Sequence, residues 1–189
     1  TISATNISSP SGGDVIFQNL NTLQVLDGST IEAKTQDGKA GSLNINAASI
    51  QLNKGSLSVA ASGNGIAGSI GISASIVELS NDAAISAEIN RGGTRDSADI
   101  NLQGLQTLNI NNSLISSSTN SGIAGSIAIQ GNLSSPSTIA LNQGTIAAAA
   151  KQPKGQAGGI FINATNLLVD NSSQISASNI SGQIGGDIV

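Results

Sequence analysis

Few residues in this chain could do covalent or acid/base chemistry. Eleven carboxylates and seven basic residues are spread over 189 positions, and there is no His and no Cys. Acid/base catalysis needs two carboxylates held together in environments that separate their pKa values. The densest candidates are Glu78, Glu88, Asp96 and Asp99, around the stretch NRGGTRDSAD (Asn90–Asp99), which also carries Arg91 and Arg95. The plainer reading of that stretch is a solvated loop with loose ion pairs, each worth less than about 1 kcal/mol. No His is present to act as a general base, and no aromatic is expected to be free to stack a sugar. The residues therefore predict a protein that is not an enzyme. Absence of Cys removes thiolate nucleophiles and thiolate metal sites, and no Asp-rich Ca²⁺-binding nonapeptide is written, so neither a metal nor another cofactor is expected.

Binding chemistry has three candidates. Six of the basic residues, Lys34, Lys39, Arg91, Arg95, Lys151 and Lys154, fall in loops that could line one edge of the molecule. That edge reads as a weak anion or polysaccharide stripe, or simply as the charge carried by the longest loops. Ser3, Ser58, Ser86, Ser116 and Ser176 recur at one position of a repeat, interrupted by Glu32 and Ala147. Of these, Ser58, Ser86, Ser116 and Ser176 form the candidate contact face, a regular row of hydroxyls for glycan; its interruptions and the lack of a Thr-x-Thr pattern argue against ice. Gln18, Asn46, Ser73, Gln103, Gln130 and Asn163 form an amide-rich column, which is expected to bond to itself and add stability. A net charge of −4 excludes a nucleic-acid partner on electrostatic grounds.

The elements that position these residues follow from an internal repeat. Apolar anchors after Gly-rich marks fall at Val15, Leu43, Ile70, Ile100, Ile127, Ile160 and Ile188, spaced by 28, 27, 30, 27, 33 and 28 residues. Two residues on, another apolar side chain follows in each of the first six units: Phe17, Ile45, Ile72, Leu102, Ile129 and Ile162. That alternation is the period of a strand. Each unit holds two further alternating pairs, such as Ile50/Leu52 and Leu57/Val59 in the second. The chain is thus predicted to be a single all-β segment over residues 1–189: a right-handed parallel β-helix of about six turns, three short strands per turn. No unit can bury its apolar face alone, so stacking must do it, and parallel crossovers are right-handed as a rule. The Gly-rich marks are expected at corners needing positive φ, and Ala47, Ala74, Gly104, Gly131 and Ala164 at a second tight corner. The first strand, TISAT, matches a third strand and the last, GGDIV, only the start of a first one. From this the segment is expected to belong to a longer array without caps of its own. No apolar run approaches the roughly 18 residues that span a bilayer.

The unit AGSLNINAASIQLNKGSLSVAASGNGI (Ala40–Ile66) resembles the repeats of filamentous-haemagglutinin-like exoproteins, especially those of cyanobacteria. Three pieces carry the resemblance: the AG-[SG]-[IL]-x-I opening, the I-x-L middle and the I-x-A close. It runs over essentially the whole chain, with the fourth unit departing at SADINLQG. The resemblance implies a two-partner-secretion protein, exported through an outer-membrane secretion partner to the bacterial cell surface. It further implies an extracellular β-helical fibre serving adhesion, aggregation or biofilm formation, with surface glycans or neighbouring fibres as partners.

Overall fold

The computed structural model describes residues 1–7, 11–63, 65–89, 98–120, 122–152, 155–179 and 185–189. Its strands stack in coils of about 28 residues, six turns in all, and no helix occurs among the described residues. The fold is a parallel β-helix.

Three walls enclose the core. The third wall is a seven-stranded sheet of Ile2–Asn6, Thr30–Thr35, Ser56–Ala61, Ala84–Ile89, Leu114–Thr119, Thr145–Ala150 and Gln174–Ser176, each paired in parallel with its copy one turn away. The first and second walls join into one ten-stranded sheet. They join because Val15–Leu26 and Leu43–Asn53 each run unbroken through both walls, so the first two turns hold two strands rather than the expected three. From the third turn on the walls separate, with Ile70–Ser73, Ile100–Leu105, Ile127–Gly131 and Ile160–Asn163 in the first and Ile76–Ser80, Thr107–Asn111, Thr138–Asn142 and Asn166–Asp170 in the second.

The register is the one the apolar repeat predicts. Val15, Leu43, Ile70, Ile100, Ile127 and Ile160 pair in sequence up the rod, as do Phe17, Ile45, Ile72, Leu102, Ile129 and Ile162. Most of these inward side chains are fully buried, and they form one continuous core. Placing aliphatics in columns stabilises each by about 1.5–3 kcal/mol. A further inward column, Thr35, Ala61, Ile89, Thr119 and Ala150, closes the third wall and escaped the repeat reading because it mixes polar and apolar side chains.

The corners differ from the expectation. Of the glycines in the Gly-rich marks, Gly38 takes the expected positive φ (99°), whereas Gly41, Gly68, Gly125 and Gly158 are needed for close approach. A Cβ on Gly68 would sit 2.0 Å from the Gly41 carbonyl oxygen, and one on Gly41 2.0 Å from that of Gly13. Gly125 and Gly158 meet the preceding turn in the same way. In the fourth turn Ala98 occupies this column, and its carbonyl accepts a hydrogen bond from the buried Ser117 hydroxyl at 3.0 Å. Positive φ also recurs between the second and third walls, at Asp27, Lys54, Asn81, Asn112, Gln143 and Asn171. Short polar side chains tolerate that conformation best.

The second small column is corrected at Gly104 and extended into the first turn. Gly104 (φ 78°) makes a bulge that places Leu105, not Gly104, opposite Gly131. Leu20 likewise takes the slot beside Ala47, past a bulge at Asn19 (φ 56°).

Candidate functional site

On the third wall, strand alternation turns every second side chain outward and parallel register stacks it on its copy. Glu32, Ser58, Ser86, Ser116, Ala147 and Ser176 form one such column, as the sequence predicts. The Ser86 hydroxyl donates to that of Ser58 at 3.5 Å, and Ser3 donates to Glu32 Oε1 at 3.1 Å. Glu32 also pairs with Lys34. Ser58, Ser86 and Ser176 are half-buried, whereas Ser116 is only 5% exposed and offers a ligand little surface. The four serines are brought into line, but as a shallow row that bonds partly to itself.

The described acidic candidates, Glu78, Glu88 and Asp99, fall on different walls. Glu78 turns outward on the second wall and Glu88 on the third. Glu88 accepts from the Ser118 hydroxyl at 3.4 Å and lies 3.9 Å from the Lys151 ammonium. Asp99 precedes a first-wall strand and accepts the Ser126 backbone N–H of the next turn at 2.8 Å. Asp14 does the same for Ser42 at 2.7 Å. These carboxylates staple successive turns. Asp96, Arg91, Arg95 and Lys154 lie outside the described residues. Among the described residues no three His, Cys, Asp or Glu side chains converge as metal ligands would. Of the basic edge, Lys34 and Lys151 are each engaged by an acid.

Side-chain amides divide into two sets. One set bonds from turn to turn at the outer edge of the second wall and its corner. Gln24 donates to Gln51 at 2.9 Å, Asn81 to Asn53 at 3.0 Å, Asn112 to Asp82 at 3.1 Å and Asn171 to Asn142 at 2.8 Å. The other set is the first-wall column that was expected to form such a ladder, and there the expectation fails. Gln18, Asn46, Ser73 and Gln103 line a groove of about 250 Å³ together with Asn44, Asn101 and Gly71. Among the described residues these side chains make one intrachain hydrogen bond, which Asn46 Oδ1 accepts from the Asn19 backbone N–H at 3.3 Å. Bulges interrupt the register beside Gln18 and between Gln103 and Gln130, and Ser73, in register between Asn46 and Gln103, has no amide to pass the ladder on.

An aromatic also stands free on this wall. Phe161 points outward and is 45% exposed, beside Gln130 and Asn163. Its ring lies over Gly159, where other turns carry Ser42, Ser69, Asp99 or Ser126. The sequence signal for it was an apolar residue at an outward position, one place after the anchor Ile160.

Walls, corners and outward columns together define a parallel β-helical repeat protein. No family model, no curated protein and no solved structure matches the chain. No helix among the described residues is long and apolar enough to cross a membrane.

Proposed function

We propose that the chain forms part of the shaft of a secreted bacterial cell-surface fibre, a structural and adhesive element rather than an enzyme. The observation that carries this reading is where the surface polar groups are spent. Outward side chains on two walls and one corner bond to side chains one turn away, and the Asp14 and Asp99 carboxylates each accept a backbone N–H of the next turn. Such pairing stiffens a rod along its axis and leaves a low-charge wall. The resemblance of the repeat unit to filamentous-haemagglutinin-like exoproteins supplies the cell-surface setting and the outer-membrane secretion partner. Its roles would be adhesion, aggregation or biofilm formation, with surface glycans or neighbouring fibres as contacts.

Immunogold electron microscopy with an antibody raised against this array tests the reading. Gold on fibres outside intact source cells is the expected result. Gold found only inside sectioned cells, with none at the surface, would overturn it.

A further inference from the structure

The groove on the first wall has the properties of a binding site, and they do not depend on whether the rod is a shaft. Its floor is Gly71, which stands in the column of Ile16, Asn44 and Asn101 and leaves a notch where its neighbours carry side chains. Around the notch stand the exposed amides of Gln18, Asn44, Asn101 and Gln103, none of which bonds to a neighbouring turn as the second-wall amides do. An amide offers both a donor and an acceptor, which is the complement of a hydroxyl that also does both. Among the described residues no charged side chain lines the groove, so an ionic ligand would find no opposite charge to offset the water it sheds. Ile16, 56% exposed, supplies an apolar edge at one end. Further along the same two columns Phe161 offers a ring face next to Gln130 and Asn163. Sugar rings carry an apolar face and a hydroxyl rim, and this wall presents partners for both.

We propose that the first wall binds a neutral oligosaccharide laid along the rod axis, centred on the Gly71 notch and extending toward Phe161. Equivalent outward positions recur every turn, about 4.8 Å apart, so an extended glycan meets amides repeatedly. Neutral hydrogen bonds in exposed grooves are individually weak, and affinity is expected to be roughly millimolar.

The test is an NMR titration of the ¹⁵N-labelled chain with cellohexaose, maltohexaose and xylohexaose, with hexagalacturonate as the charged comparator. At least one neutral hexasaccharide is expected to shift the side-chain amide signals of Asn44, Asn101 and Gln103. Gly71→Val fills the notch; a Cβ there meets Asn44 Oδ1 at 3.1 Å, the end of a flexible exposed side chain that can give way. It should lower affinity about tenfold, or 1.4 kcal/mol. Should Gly71→Val unfold the chain, the exposed pair Asn101→Ala and Gln103→Ala gives the same test. Ser58→Glu with Ser86→Glu, on the third wall, should leave binding unchanged. Four results would each overturn the proposal: no shift with any neutral sugar, preference for hexagalacturonate, binding insensitive to the first-wall variants, or loss of binding in the Ser→Glu pair. If the same amides instead shift with protein concentration alone, the groove holds a second copy of this chain and the glycan is excluded.

Discussion

Two glycines three residues apart carry opposite constraints. Gly68 has no space for a methyl group, since a Cβ would lie 2.0 Å from a backbone oxygen of the preceding turn. Backbone cannot move aside as a flexible side chain can, so Gly68→Ala must push two turns apart. We expect a loss of about 3 kcal/mol or more in urea unfolding. Gly71→Ala, facing the open groove, should change stability by less than about 1 kcal/mol in the same measurement. Equal effects at the two sites would refute the stacking geometry. Asp99 gives a third case at this scale. Its carboxylate accepts the Ser126 N–H in an exposed bond, and Asp99→Ala should cost about 1.5 kcal/mol, the low end of the range for a bond to a charged group.

At the scale of the strand, alternation decides which side chains the core receives. Ile72 is 1% exposed in the first wall, while Ile76, at the start of the second-wall strand, is 39% exposed. Ile72→Asp would bury an unpaired charge and should cost several kcal/mol, enough to abolish the cooperative urea transition. Ile76→Asp should stay within about 1 kcal/mol of the parent. The inward columns and their register were legible in the sequence because Ile, Leu and Val recur at fixed spacing, so Ile45, Ile72 and Leu102 identify one another. The corners were less legible. Positive φ sits on Asp27, Lys54, Asn81, Asn112, Gln143 and Asn171, a mixture of residue types that no single-residue rule unites. Glycine at the marks was read for its backbone freedom, although its missing side chain is what the packing uses. The groove was hidden for a related reason. Bulges at Asn19 and Gly104 interrupt the outward amide column, and a bulge is one extra residue that the spacing of apolar side chains absorbs without comment. Phe161 was passed over because a lone aromatic among aliphatics resembles core until its parity in the strand is counted.

For the molecule as a whole, every functional reading depends on the chain being a rod that advances by one strand spacing per turn. The shaft needs axial stiffness, and the groove needs columns of equivalent positions. Thr22, Thr107, Thr138 and Asn166 stand in one outward column of the second wall, at its first, fourth, fifth and sixth turns. Replacing Thr22 in pairs with Thr138 or Asn166 by Cys and attaching spin labels allows pulsed electron paramagnetic resonance to read the rise directly. The labels are exposed or half-buried and off the core, so folding should be unaffected. Stacked coils predict mean separations of about 19 Å for Thr22–Thr138 and about 24 Å for Thr22–Asn166, from roughly 4.8 Å per turn. Two separations that do not differ by about one strand spacing, or distributions too broad to have a maximum, would contradict the β-helical rod and both readings built on it.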